Sequence, residues 1–189
     1  NPWFNGQSYV DTLNPEAIKQ FIEVTYEKYR EYLEQDFGGA VPGIFTDEPQ
    51  FTPKQRAGSI ESRKEIIMPF TDRLPEIFYE EYGYDLLDRL PELFYDREDM
   101  ESEARYCYHD LVSRLFAESY AEQIGKWCRD HGIALTGHLM KEPLLSSQTE
   151  FVGEAMRSYP GFQIPGIDIL CDRREFTTAK QAQSIVHQC

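Results

Sequence analysis

Ionisable side chains accompany each of the three segments that the sequence predicts as β-strands. Glu48 follows the apolar run 41–46, His138 follows the run 133–137, and Asp168 lies within the run 166–170. Active sites of (β/α)₈ barrels and open α/β sheets gather at the carboxyl ends of parallel strands. We therefore expect these three side chains to face one cleft.

Glu48 has the side chain and the position of a general acid. It lies one residue beyond a predicted buried strand and is followed by Pro49, so it should project into the cleft from a rigid backbone. Partial burial favours the protonated form of a carboxyl group, which can then donate to a leaving-group oxygen. The alternative is that Asp47 or Glu48 only caps a loop or pairs with an arginine.

The remaining polar groups suggest a second carboxylate and a substrate-binding set. Glu142 is the candidate for the second catalytic carboxylate; it follows His138 by four residues, but no helix is predicted there, so the pair is not an HExxH zinc site. Asp47, His138 and Asp168 are predicted to bind substrate. The alternative for His138 is a structural hydrogen bond, and the alternative for Asp168 is one half of a buried ion pair.

The first nine residues have the composition of a sugar-binding loop. Trp3 and Tyr9 offer flat rings that can stack on a pyranose, and the Asn5 amide can bind hydroxyl groups. The alternative is an aromatic contribution to the core beside a turn.

Composition excludes several classes of function. The 189 residues include 12 Tyr, 12 Phe and 2 Trp, which suits one domain with a substantial core. The net charge of -14 disfavours nucleic acid as a partner. No apolar run approaches the roughly 20 residues that span a bilayer. No glycine-rich phosphate loop occurs, so no cofactor is predicted; Asp47, Glu48 and Asp168 are candidate Ca²⁺ ligands, although their spacing matches no known loop.

The cysteines and the first residues indicate a reducing, cytoplasmic location. None of the four cysteines forms a CxxC pair, and Cys107 and Cys128 are 21 residues apart in one predicted helix, about 30 Å by helical rise. All four are therefore predicted to be free thiols. The sequence begins without a basic segment followed by an apolar one, so no signal peptide is expected.

Helix and strand signals alternate along the chain. Asn14 and Pro15 are typical of a helix start, and this helix should extend to Gly38. Residues 72–79 recur as 88–95, which predicts two short helices inside an insertion at about 50–100. Further helices are predicted at three places: about 102–131, 149–158, and from Thr177 onward.

Such alternation predicts parallel βαβ units. A complete barrel takes about 250 residues and eight strands, whereas this chain offers three strands. The prediction for residues 1–189 is therefore an α/β fold that forms part of a (β/α)₈ TIM barrel, with a helical insertion and with the rest of the barrel supplied from outside these residues.

Residues 43–49 resemble a motif of the clan-A (β/α)₈ glycoside hydrolases. The Asp47-Glu48-Pro49 form is closest to the α-L-rhamnosidase-like enzymes and related uncharacterised bacterial glycosyl hydrolases, and 132–138, 163–168 and 175–181 resemble the same group. The resemblance implies that Glu48 is the general acid/base and that its partner carboxylate often follows a later strand.

The expected function is that of a glycoside hydrolase fragment that acts on a carbohydrate and is inactive alone. Uncovered strand edges of such a fragment should promote self-association. The alternative is a non-catalytic α/β module that binds a carbohydrate or a protein, in which Glu48 would be tied into an ion pair.

Overall fold

The protein is described from a computed structural model, which covers residues 5–96, 101–169 and 176–189. Its centre is a three-stranded parallel sheet in the order β1-β2-β3. The strands are β1 Gly43–Asp47, β2 Ala134–His138 and β3 Ile164–Pro165. Mixed α/β architecture with parallel strands is therefore confirmed.

The third strand begins earlier and is shorter than predicted. It was expected at 166–170, but pairing with β2 involves Ile164 and Pro165, and 166–169 are not a strand. Pro165 has no N–H to continue the ladder. The Gln163 and Gly166 N–H groups on either side of β3 bond the Leu135 and Gly137 carbonyls at 3.1 and 2.7 Å. Leu170 lies outside the described residues.

Nine α-helices occur within the described ranges. They are α1 Pro15–Val24, α2 Tyr26–Leu33, α3 Leu74–Tyr82, α4 Leu90–Phe94, α5 Glu103–Phe116, α6 Gln123–Asp130, α7 Leu145–Phe151, α8 Ala155–Ser158 and α9 Thr177–Gln188. A π-helical segment, Ala117–Glu122, joins α5 to α6, and short 3₁₀ turns lie at Glu34–Asp36, Leu87–Arg89 and Tyr159–Gly161.

The predicted start of the first helix is confirmed, but its length is not. Asn14 caps α1, its Oδ1 accepting from the Glu16 and Ala17 N–H groups at 3.0 and 3.4 Å. The helix is interrupted at Thr25, whose hydroxyl donates to the Phe21 carbonyl. A hydroxyl that bonds the preceding turn competes with the regular ladder and bends helices.

The insertion contains the two predicted short helices, and Pro75 and Pro91 lie in their first turns. Helix α5 begins after Ser102, whose hydroxyl accepts from the Arg105 N–H at 3.1 Å. The expected helix at 149–158 is instead divided into α7 and α8, with the left-handed Gly153 between them.

The helices cover one face of the sheet and leave the other open. On the covered face Leu135 is fully buried, and the Thr46 hydroxyl is hydrogen bonded to the Tyr120 hydroxyl at 2.6 Å. On the open face Phe45 and Ile164 both lie level with Thr136, and they are 62% and 57% exposed. An apolar row across the middle of a sheet is normally covered.

Cys107, Cys128 and Cys189 are free thiols, as predicted, while Cys171 lies outside the described residues. Among the helices described, none combines the length and the apolar character needed to cross a membrane.

Candidate functional site

The parallel register brings the predicted site residues to one edge of the sheet. Asp47 pairs with His138 at the carboxyl ends of β1 and β2. Glu48 follows β1 directly, and Asp168 lies three residues beyond β3. Polar groups from three separate segments of the chain therefore meet at the edge where parallel sheets place their active sites.

Glu48, His138 and Asp168 form a compact cluster, the carboxylate–imidazole trio. Each offers one side-chain ligand atom, and these atoms all lie within 4.8 Å of one another. His138 is buried, while Glu48 and Asp168 are half-buried. The trio can therefore be reached from solvent through its two carboxylates, and its imidazole forms the floor.

The backbone at Glu48 is held in an unusual conformation. Its φ is 47°, in the left-handed region that residues other than glycine adopt at a cost of about 1–2 kcal/mol. Pro49 follows and is buried, which restricts the chain on the other side of Glu48. Strained residues of this kind persist where the surrounding structure fixes them, and they concentrate at functional sites.

Neighbouring groups fix the orientation of His138. Its Nε2 lies 3.2 Å from Asp47 Oδ1, and its ring lies edge-on to Phe45 at 5.8 Å between centroids. Its Nδ1 is buried and has no hydrogen-bond partner among the described residues. Gly137, just before it, has φ 131°, and a Cβ there would lie 2.0 Å from the Thr46 carbonyl oxygen, so only glycine lets the two strands approach at this point.

Glu142, the predicted second catalytic carboxylate, lies outside the trio and is only 2% exposed. Its Oε1 accepts from the Leu139 N–H at 2.7 Å and from the Tyr159 hydroxyl at 2.5 Å. Burial raises the pKa of the Glu142 carboxyl group, and the nearby Asp168 backbone N–H acts in the opposite direction. The left-handed Lys141 (φ 58°) turns the chain back so that these contacts form.

The predicted sugar-binding loop is only partly described. Trp3 lies outside the described residues, and Asn5 is exposed in a turn with φ 52°. Tyr9 is 44% exposed, and its phenolic oxygen accepts from the Gln50 N–H, two residues after Glu48. Tyr9 is thereby connected to the segment that carries Glu48, although it is not a member of the trio.

The trio has the composition of a metal site as well as of an acid/base site. Two carboxylates and an imidazole suit a transition-metal ion, whereas Ca²⁺ is bound almost entirely by oxygen. The Ca²⁺ ligands considered from sequence included Asp47, which does not belong to the cluster.

Several residues that support the site were not predicted. Tyr159 binds the Glu142 carboxylate, and the Gln148 and Gln181 side chains donate to the Glu142 carbonyl at 2.5 and 3.2 Å. A buried tyrosine and two helical glutamines look like ordinary core and surface residues in sequence. No sequence signal therefore marks these three residues.

Comparison with known proteins shows a likeness of fold to a solved structure. No family model matches the chain, and no curated protein matches it. The structure is similar to part of a rhamnosidase from Novosphingobium sp. PP1Y, with a TM-score of 0.66 and 18% sequence identity. The match covers 95% of this chain but 16% of that one. At this identity the likeness is one of fold.

Proposed function

We propose that residues 1–189 form part of the catalytic (β/α)₈ barrel of a glycoside hydrolase, with Glu48 as the general acid. The observation that supports this most strongly is the convergence of Glu48, His138 and Asp168 within 4.8 Å at the carboxyl edge of a parallel sheet. The fold likeness to a rhamnosidase makes an L-rhamnoside the first substrate to test.

The proposed chemistry begins with proton transfer. Glu48 donates its proton to the glycosidic oxygen as the bond from that oxygen to the anomeric carbon breaks, so the alcohol leaves neutral and positive charge develops on the sugar. His138 and Asp168 bind sugar hydroxyl groups at the same edge. The second catalytic carboxylate comes from a later strand, outside these residues.

The spacing of carboxylates supports this division of roles. A water molecule needs carboxyl groups about 6.5–9.5 Å apart on opposite sides of the sugar, and covalent attack needs about 5–5.5 Å. The closest oxygens of Glu48 and Asp168 lie within 4.8 Å of each other, which is shorter than either separation. Glu142 is enclosed and already accepts several donors, which favours a structural role over contact with substrate.

The open face of the sheet supports the barrel. Asp47 and His138 share this face with the exposed Phe45 and Ile164. In a barrel the inward side chains of the strands pack together in layers. We propose that side chains from the remaining strands cover this apolar row and close the sugar-binding cleft above it.

The competing function is carbohydrate or protein binding without catalysis. If the protein only binds its ligand, the Glu48 carboxylate should be neutralised by an ion pair. Across residues 5–96, 101–169 and 176–189, no lysine or arginine lies within 4.0 Å of the Glu48 carboxylate. A half-buried carboxylate that pairs with no lysine or arginine in these ranges is better suited to proton transfer.

The test is hydrolysis of alkyl α-L-rhamnosides by the polypeptide that carries the complete barrel, compared with its Glu48→Gln variant. Glutamine keeps the shape but cannot protonate the leaving group, so turnover should fall by about 10²–10⁴-fold. Glu150→Gln, a matched change at an exposed position on α7, should leave turnover unchanged. Wild-type turnover in Glu48→Gln would refute the assignment.

A further inference from the structure

The carboxylate of Glu142 connects the two sides of the candidate site. Its Oε1 accepts from the N–H of Leu139, the residue after His138. The backbone N–H of Asp168 faces the same carboxylate. Tyr159, whose hydroxyl donates to Glu142, also lies 3.4 Å from the Gly166 carbonyl oxygen, two residues before Asp168. The Leu139 and Asp168 amides belong to the connections that follow β2 and β3, so a single side chain spans the ends of neighbouring strands.

Burial and packing make this bridge rigid. Glu142 is 2% exposed and Tyr159 is 1% exposed, and the Tyr159 hydroxyl lies 2.5 Å from Glu142 Oε1. The Glu142 carbonyl is held by Gln148 on α7 and by Gln181 on α9. Gln148 also accepts from the Ala155 N–H at 3.1 Å and donates to the Gln181 amide oxygen at 2.9 Å. The side chain and the carbonyl of Glu142 are therefore each held by a residue distant in sequence, Tyr159 and Gln181 respectively.

The bridge compensates for the short third strand. The β2–β3 pairing includes only two residue pairs and ends at Pro165, three residues before Asp168. The Gly166 N–H still bonds the Gly137 carbonyl at 2.7 Å, but neither this bond nor the strand pairing reaches Asp168 itself. Glu142 and Tyr159 supply the remaining link, because Glu142 is anchored to the turn after His138 and the Tyr159 hydroxyl that donates to it lies beside the Gly166 carbonyl.

We propose that Glu142 is a positioning residue that sets the separation of His138 and Asp168, and that it neither attacks nor protonates the sugar. The kinetic test of this inference rests on the proposed function. The bridge itself can be measured without any activity.

Kinetics separate a positioning role from a catalytic one. A displacement of about 1 Å costs about 10²-fold in turnover, so Glu142→Gln should lower kcat/KM by about that factor on rhamnosides. Tyr159→Phe removes one donor to the same carboxylate and should produce a smaller loss of the same kind. In the double variant the losses should be less than multiplicative, because both changes disturb one network.

A catalytic Glu142 would give a different pattern. Glu142→Gln would then lose about 10⁴-fold or more, Tyr159→Phe would leave most of the activity, and added sodium azide would restore turnover of an activated aryl rhamnoside by replacing the missing carboxylate. Restoration by azide would overturn the proposal. The exposed Glu150→Gln is the control for both variants.

Amide hydrogen exchange tests the bridge independently of turnover. In the wild type the Leu139 and Asp168 N–H groups should exchange slowly, and Glu142→Gln should accelerate both by at least 10-fold while β1 amides are unchanged. Equal exchange in the two proteins would refute the bridge. If exchange behaves as expected but the wild type hydrolyses no glycoside, the proposed function fails and the structural bridge stands.

Discussion

Lys54 offers a quantitative test of how the insertion packs against α5. Its side chain is buried, its Nζ lies 2.8 Å from His109 Nδ1, and it lies over the Phe51 and Tyr108 rings at 4.8 and 5.8 Å from their centroids. No carboxylate among the described residues pairs with it. Burial lowers its pKa from 10.5 to about 7.

This shift makes the free energy of unfolding depend on pH. Between the folded pKa of about 7 and the unfolded value of 10.5, the unfolded chain holds a proton on Lys54 that the folded chain has released. Stability therefore rises with pH through this window, by up to about 1.4 kcal/mol per pH unit. Integrated from pH 7 to pH 9, the contribution of Lys54 is about 2 kcal/mol.

Lys54→Met should remove this dependence. The free energies of unfolding of the wild type and of Lys54→Met are measured by urea unfolding at pH 7, 8 and 9. From pH 7 to pH 9 the wild type should gain about 2 kcal/mol of stability relative to the variant. His109 adds nothing in this range, because burial and the nearby cations lower its pKa to about 3. The exposed Lys126→Met is the control. A constant difference between wild type and Lys54→Met from pH 7 to 9 would refute the reasoning.

Two further changes probe the sheet that carries the site. Gly137→Ala would place a Cβ 2.0 Å from the Thr46 carbonyl oxygen, so it should lower the free energy of unfolding by at least about 2 kcal/mol. The control is Gly83→Ala, where the glycine is also left-handed but the Cβ would enter open space; this change should cost about 1 kcal/mol. Equal losses of stability for the two variants in urea unfolding would contradict the close contact at Gly137. The isolated 189-residue chain should self-associate through the open face of its sheet, so its mass measured by light scattering should rise with protein concentration. Phe45→Lys should shift this equilibrium toward the monomer. A wild-type protein that keeps the monomer mass at both low and high concentration would argue against this.

The strand positions could be predicted where glycine and proline mark the ends of apolar runs. The segment after Gly39 and the segment after Gly132 each became a strand close to its expected range. The third strand was misplaced because Ile167 to Leu170 is the more apolar run, while pairing depends on the register with β2. That register is a tertiary property, and local sequence does not encode it.

The convergence of the site was predictable for a physical reason. Parallel strands present their carboxyl ends at one edge, so Glu48 and His138 had to lie near each other once β1 and β2 were neighbours. The role of Glu142 was not predictable, because its burial depends on the left-handed turn at Lys141 and on Tyr159. The interruption at Thr25 was also missed, since Thr25 fits the helical spacing and its hydroxyl bond shows only in three dimensions.

The central claim, that Glu48 protonates the departing alcohol, is tested most directly by varying the leaving group. In the polypeptide with the complete barrel, Glu48→Gln should lose about 10²–10⁴-fold on methyl α-L-rhamnoside. It should lose little on 2,4-dinitrophenyl α-L-rhamnoside, because dinitrophenolate leaves without a proton. An equal loss on both substrates, or no loss on either, would contradict the account.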